Sequence, residues 1–295
     1  MKNVCLIPSP ILRGFFNHSI EKEPYLFSTE EEEPLKMKSH EKTLLDDFSL
    51  EGWTPQMIEV LFTIFFLRED DKVTFKSKNQ IASLSSGAKT SSSRNRSKYF
   101  EGLQALQEPV QLLIKGGKLS VLINEPVLYK DGENCFRIGI PFLRYADSWL
   151  KVPLAINEIF REGGLKRIER PHILLYLYLL NQFRDKKKEN FDAKKIFKSI
   201  GIEHYFEQRH GNRAYQLIED SLKALVKSKV LFSYEFLGKE VIKIKANPFH
   251  FESLKGKVYT TGEGLYTSGV EVYTTGEGTF TEPLKTPLRV SNSRT

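Results

Sequence analysis

Helical and alternating hydrophobic periods follow one another along this chain in an order that few folds can accommodate. Alternation of apolar residues around Gly116-Gly117, over residues 110–123, predicts a β-hairpin. A spacing near 3.6 residues predicts helices upstream of it, over residues 54–70, 75–87 and 89–107. The first half of the chain is therefore expected to form three helices followed by a hairpin, with a further hairpin over 127–140.

The same order returns in the second half. Helical spacing extends over residues 171–187, 192–202 and 211–229, and an alternating pattern with a turn at Gly238-Lys239 follows over 231–246. Three helices and a hairpin make up the winged-helix variant of the helix-turn-helix. We therefore predict an α+β protein with two tandem winged-helix domains and flexible termini.

This pattern divides the chain into four parts. We expect a weakly ordered N-terminal arm over residues 1–50, because its charged stretch shows no sustained period. The two winged-helix domains are expected at 51–152 and 165–250, with a linker near 153–164. A C-terminal tail that contains a short repeat covers 251–295.

Positive charge is concentrated in the two predicted domains. The chain carries a net charge of +7. Residues 155–250 hold 19 Lys and Arg against 12 Asp and Glu, and residues 51–154 hold 14 against 11. A basic excess that coincides with two winged-helix patterns indicates a polyanionic partner, and duplex DNA is the polyanion that such domains bind.

A helix that enters the major groove presents its N-terminal turns to base edges, and hairpin lysines lie along phosphates. Arg and Lys side chains suit guanine and phosphate, and Asn and Gln suit adenine. The residues expected to contact DNA are Arg94, Asn95, Arg96, Lys98, Lys118, Arg209, Asn212, Arg213, Gln216, Lys239 and Lys243. The alternative for each of them is an ordinary solvated surface residue.

No catalytic, metal or cofactor site is expected from the sequence. The stretch KGGKLS (115–120) lacks the upstream glycine of a phosphate-binding loop, since Leu112 stands there. The six histidines are scattered, and Cys5 and Cys135 have no metal spacing. Two cysteines and the absence of an apolar run of membrane length predict a cytoplasmic protein with no membrane partner.

The tandem winged helices resemble one family, together with the stretches HILLYLYLLNQF (172–183) and LIEDSLKALVKSK (217–229). Over residues 45–250 the chain is similar to the iteron-binding replication initiators of theta-replicating plasmids. The resemblance implies binding to directly repeated origin sites in double-stranded DNA, opening of adjacent AT-rich DNA, and recruitment of a host DnaA-type initiator and the replicative helicase. It also implies that the N-terminal winged helix forms a homodimer, with dimers repressing and monomers initiating.

Other functions stay open at this point. They are a winged-helix transcriptional regulator, a phage replisome organiser, and a nicking or priming enzyme, against which the missing motifs argue.

A seven-residue repeat near the C-terminus has two interpretations. The unit VYTTGEG occurs at 258–264 and again at 272–278, and Tyr259, Tyr266 and Tyr273 share one slot. As protein, Val, Tyr and Thr favour strands and GEG favours a turn. As coding DNA, seven residues are about 21 base pairs, which is two turns of B-DNA, so the repeat could reflect binding sites inside the gene.

Overall fold

The computed structural model describes residues 4–16, 43–48, 53–87, 93–116, 119–144, 149–185, 189–254, 257–261 and 264–268. Over these residues the protein is a mixed α+β structure whose strands form four antiparallel sheets.

The helices are α1 (Ser9–Gly14), α2 (Pro55–Leu67), α3 (Lys78–Ser86), α4 (Ser93–Ala105), α5 (Ile140–Arg144), α6 (Ile156–Glu162), α7 (Arg170–Asp185), α8 (Ala193–Ser199), α9 (His204–Glu207), α10 (Gly211–Lys227) and α11 (Pro248–Glu252). The strands are β1 (Val4–Pro8), β2 (Thr43–Phe48), β3 (Arg68–Glu69), β4 (Lys72–Thr74), β5 (Pro109–Gly116), β6 (Leu119–Pro126), β7 (Leu128–Lys130), β8 (Cys135–Ile138), β9 (Trp149–Pro153), β10 (Asn190–Asp192), β11 (Leu231–Leu237), β12 (Val241–Ala246), β13 (Lys257–Thr261) and β14 (Gly264–Ser268).

The six helices predicted from apolar spacing are present as α2, α3, α4, α7, α8 and α10. Helix α2 illustrates why such a segment forms a helix. The Met57 amide donates to Thr54 Oγ1 at 3.3 Å, and Pro55 occupies the first helical position. Both features stabilise a helix start, because amides of the first turn have no partner within the helix. Ile58 and Leu61 then lie in the core.

The two halves share an order of elements, apart from β3, β5 and β6 in the first half and α9 in the second. In the first half, β4 lies between α2 and α3 and pairs with β8, which in turn pairs with β7. In the second half, β10 lies between α7 and α8 and pairs with β12, which pairs with β11. In both sheets the second strand of the hairpin therefore lies between the short strand and the first strand of the hairpin, and β3 adds a fourth strand at the edge of the first sheet.

The hairpin around Gly116-Gly117 forms as predicted, as β5 and β6, but its place in the fold differs from the prediction. It pairs with β2 in a separate sheet, whereas the second predicted hairpin, β7–β8, joins β4 and completes the first three-helix unit. Burial explains the choice, because Val73 on β4 stands opposite Phe136 on β8 and both are buried. The Phe136 ring also stacks on Phe75 at 5.6 Å between centroids.

The N-terminal arm expected over residues 1–50 is wrong for residues 4–16. Strand β1 pairs with β9, and Ile7, Ile11 and Phe15 are fully buried. The Phe15 ring contacts the Phe62 ring of α2 edge to face at 6.3 Å. Strand β2 also pairs with β5, while residues 17–42 lie outside the described residues.

The C-terminal boundary at residue 251 is also corrected. Phe251 and Leu254 are buried in the core. Strand β13 pairs with β9 and with β14, so segments near both ends of the chain share the sheet β1-β9-β13-β14. The expectation of flexible termini therefore does not hold for these segments, and residues 269–295 lie outside the described part.

The sheet gives the repeat a protein-level explanation over residues 257–261 and 264–268. Strands β13 and β14 have five residues each and are separated by two residues, which together make the period of seven. Their register places Tyr259 opposite Tyr266. The unit at 272–278 lies outside the described residues, so the interpretation as coding DNA stays a prediction.

Residues 153–164 were expected to form a linker, and they contain the packed helix α6 instead. Ile156 and Phe160 are fully buried. The backbone of Gly163 lies so close to α10 that a Cβ atom there would be 2.3 Å from the Ala224 carbonyl oxygen. Arg161 Nη1 donates to the Ser86 carbonyl at 3.2 Å, so this segment contacts the last turn of α3 as well as α10.

Candidate nucleic-acid interface

The N-terminal end of α10 is exposed and has no side-chain cap. Its N-cap residue, His210, makes no capping hydrogen bond, whereas Asp192 Oδ1 caps α8 by accepting from the Lys194 and Lys195 amides. An uncapped helix start carries partial positive charge and amide donors, which favour an anion such as phosphate.

The structure brings four predicted contact residues together at this end. Arg209, Asn212, Arg213 and Gln216 are all exposed, while Ala214 on the opposite side of the helix is fully buried. Basic and amide side chains therefore project from the same uncapped helix end. This combination can donate hydrogen bonds to phosphate oxygens and to base edges.

Two of these side chains are held by neighbours. The guanidinium carbon of Arg213 lies 5.2 Å from the centroid of the Tyr205 ring, within the range of a cation–π interaction. The Gln216 Nε2 donates to Asp220 Oδ1 at 2.8 Å. The Tyr205 carbonyl also accepts from the His210 amide at 2.6 Å, so Tyr205 fixes both the entry into α10 and the Arg213 side chain.

Arg209 lies in a left-handed conformation at the turn between α9 and α10, with φ of 60°. Its amide donates to the Phe206 carbonyl at 3.1 Å. With the bond from His210 to Tyr205, this is the Schellman pattern, in which glycine is the usual residue. A charged L-residue at this position is therefore held at some conformational cost.

The hairpin β11–β12 places its two predicted lysines differently. Lys239 is exposed in the turn, and its carbonyl accepts from the Tyr215 hydroxyl of α10 at 2.7 Å. Lys243 alternates with buried Ile242 and Ile244, which places it on the face of the sheet away from the helices. Lys239 therefore lies beside α10, and Lys243 is separated from the cluster at its start.

In the first half, part of the predicted site lies outside what the structure describes. Arg94 and Asn95 belong to the first turn of α4, but their side chains are not described, and Lys118 lies outside the described residues. The other two predicted residues are described. Lys98 is exposed, and Arg96 Nη1 donates to Asn79 Oδ1 at 3.3 Å, which links α4 to α3.

A buried polar cluster anchors α4 to α2. The Tyr99 hydroxyl donates to Glu59 Oε2 at 3.1 Å, and Glu59 is fully buried. Burial raises the pKa of Glu59 to about 8, against the opposing effects of the Tyr99 hydrogen bond and the positive charge of Arg161. Glu59 Oε1 and Asn157 Oδ1 are buried without a hydrogen-bond partner among the described residues, which is consistent with a protonated carboxyl.

Sequence reasoning missed several residues near this surface. Lys194, Lys195 and Lys198 are exposed on α8, the helix before α9, and their spacing within an amphipathic pattern was the signal available. Tyr205 and Tyr215 were missed as well. Their roles depend on contacts with other elements, which no local pattern reveals.

Comparisons with protein-family models, with curated proteins and with solved structures found no match for this chain. Within the described residues, no helix combines the length and the apolar character needed to cross a bilayer. The described residues also contain no group of three or more His, Cys, Asp or Glu side chains that could hold a metal ion.

Proposed function

We propose that this chain is a sequence-specific duplex DNA-binding protein built from two tandem winged-helix domains, in which α4 and α10 are the recognition helices. The observation that carries the proposal is an order common to both halves: a long helix, a short strand (β4 or β10), further helices, and a hairpin (β7–β8 or β11–β12) whose second strand pairs with the short strand. In the winged-helix interpretation the wings are the hairpins β7–β8 and β11–β12.

The charge of the described surface supports the second domain as the stronger DNA-binding module. Arg209 and Arg213 are exposed at the uncapped start of α10, and Lys239 is exposed in a hairpin turn whose backbone accepts a hydrogen bond from Tyr215 of α10. Such a helix end fits the major groove, with the hairpin turn beside the phosphate backbone. The paired charges further along α10, such as Lys223 with Glu219 at 2.7 Å, are less available for DNA.

We further propose that binding to directly repeated sites initiates replication of a plasmid or a related element, without a nicking or priming activity of the protein itself. This part rests on the resemblance to iteron-binding initiators over residues 45–250. It includes a homodimer, a host DnaA-type initiator and a replicative helicase as partners. A transcriptional regulator would bind DNA in the same way but would not support replication.

The test combines selection of a binding site with a replication assay. Duplexes selected from a random pool by the full-length protein give the site, and fluorescence anisotropy over a salt series gives the affinity and its slope. Arg213→Ala is expected to lose about 1–3 kcal/mol on the selected duplex and to relax one base position. Lys223→Ala, which removes a positive charge further along the same helix, is the control and should bind like the wild type.

Replication is tested separately by placing the gene and its flanking DNA on a circle that lacks another origin. Stable transformants are expected with the wild type and with Lys223→Ala, and none with Arg213→Ala. Specific binding without transformants would favour a transcriptional regulator. Equal affinity for selected and random duplexes at every salt concentration would refute the proposal of specific recognition.

A further inference from the structure

The turn of the hairpin β11–β12 is attached to the helices by two hydrogen bonds. The Lys239 carbonyl accepts from the Tyr215 hydroxyl at 2.7 Å, and the Glu240 carbonyl accepts from the Ala193 amide of α8 at 2.8 Å. Only the first of these bonds uses a side chain. Gly238 has a φ of 74°, so the turn begins in the left-handed region that glycine adopts readily.

Tyr215 is well placed to hold this turn, because its ring lies among aromatic rings from three other elements. Its centroid is 5.0 Å from that of Phe197 on α8, 5.9 Å from that of Phe206 on α9 and 6.3 Å from that of Phe236 on β11. Rings in edge-to-face contact restrict one another, so the hydroxyl direction is set by packing. Burial raises the pKa of Tyr215, with Glu240 adding to the effect, so the hydroxyl stays a donor at neutral pH.

From this geometry we infer that Tyr215 is a positioning residue for DNA binding, because its hydroxyl holds the backbone of Lys239 and thereby sets where the Lys239 side chain meets a phosphate. The inference rests on the proposed function. The Tyr215 ring belongs to the aromatic contact between α8, α9 and β11. Tyr215 therefore affects DNA binding by holding the hairpin turn in place. With the hydroxyl removed, the turn gains freedom that must be lost again on binding, which weakens the contact.

The experiment uses Tyr215→Phe in the full-length protein, which keeps the ring and deletes one hydroxyl. Its affinity for the selected duplex is expected to fall roughly three- to ten-fold, which is the change in dissociation constant that the loss of one hydrogen bond produces. The slope of log K against log salt should also become shallower, by up to about 0.9, because one phosphate contact is weakened. The control is Tyr234→Phe on β11, a tyrosine whose ring is 5.9 Å from that of Phe236, and it should leave affinity and slope unchanged.

A double-mutant cycle with Lys239→Ala separates positioning from general stability. If Tyr215 acts through Lys239, then Tyr215→Phe has no further effect on affinity in the Lys239→Ala background. An equal loss of affinity in both backgrounds, or an unchanged salt slope, would overturn the inference while leaving the proposed function in place.

A second measurement does not depend on DNA. Hydrogen exchange of the amides in the 238–240 turn is expected to be faster in Tyr215→Phe than in the wild type. Unchanged exchange would show that the hydroxyl does not hold the turn. Absence of salt-dependent duplex binding by the wild type would instead refute the proposed function, and the role of Tyr215 in DNA binding with it.

Discussion

Replacing Arg209 by glycine would separate the stability of the α9–α10 turn from its proposed contact with DNA. Arg209 has a φ of 60°, a conformation that costs an L-residue about 1–2 kcal/mol. Glycine removes this strain, but it also raises the conformational entropy of the unfolded chain, which lowers the free energy of unfolding by about 0.4–1 kcal/mol. We therefore expect the free energy of unfolding of Arg209→Gly to rise by about 0.5–1 kcal/mol, while its affinity for duplex DNA falls.

Lys229, beyond the other end of α10, provides a matched control. It follows the C-terminus of α10 with a φ of 61°, and its amide donates to the Val226 carbonyl at 3.0 Å, in the same helix-ending pattern as Arg209. Lys229→Gly therefore relieves a similar strain and removes one charge. The 17 residues of α10 separate the two positions by about 25 Å. This distance exceeds the Debye length of about 8 Å at physiological salt.

The assays are urea unfolding and fluorescence anisotropy with a mixed-sequence duplex over a salt series. Both variants should match or exceed the stability of the wild type. Only Arg209→Gly should lower the slope of log K against log salt, by about 0.9 for one phosphate contact. Equal losses of affinity in the two variants would mean that general charge, and not the start of α10, attracts DNA. Binding of Arg209→Gly that matches the wild type would exclude Arg209 from the interface.

Three further predictions concern the core and the repeat. Glu59→Gln should become more stable relative to the wild type as pH rises from 5 to 8. The pKa of Glu59 is about 8 in the folded protein and 4.5 as its ordinary value, so over this range the carboxyl ionises in the unfolded wild type while it stays protonated in the folded one. The free energy of unfolding of the wild type therefore falls as pH rises. Urea unfolding at several pH values measures this, and parallel pH profiles of the two proteins would contradict it. Gly163→Ala should lower the free energy of unfolding by about 1–3 kcal/mol, because the added methyl overlaps the Ala224 backbone. The matched change Gly132→Ala, whose nearest neighbour would be Cys135 Cβ at 3.5 Å, should be tolerated, and similar losses in both would refute the steric explanation. If the repeat reflects binding sites in the gene, the codons of 258–264 and 272–278 should match at synonymous third positions and the protein should protect this DNA from cleavage. Scrambled third positions would leave only the protein-level explanation.

The sequence determined the helices and the longer hairpins, because their signals are local. The period of apolar residues and the Thr54-Pro55 start were sufficient for α2, and Asp192 and Gly201 bounded α8. The exposed cluster at the start of α10 was also predictable, since its residues are neighbours in the chain. Such features depend on interactions within a few residues, which a sequence displays directly.

Short strands and sheet partners could not be predicted in this way. Strands β4 and β10 have three residues each, too few to show a period, yet they decide which hairpin completes each unit. Strands β1 and β9 are far apart in the chain, with Val4 opposite Pro153. Pairing over such a separation depends on burial of both strands in one core, and the sequence around either strand alone carries no trace of its partner.

Tertiary packing also decided which of the predicted contact residues are held by neighbouring side chains. Tyr205 reaches Arg213 and Tyr215 reaches Lys239 only because the α9–α10 turn and the hairpin fold against α10. Lys243 has the same charge as Lys239, but alternation along β12 turns it to the other face of the sheet. Local patterns therefore predicted the longer helices, the hairpins and the positions of basic residues along them. Only packing between elements decided their common surface, because side-chain direction depends on what each element is packed against.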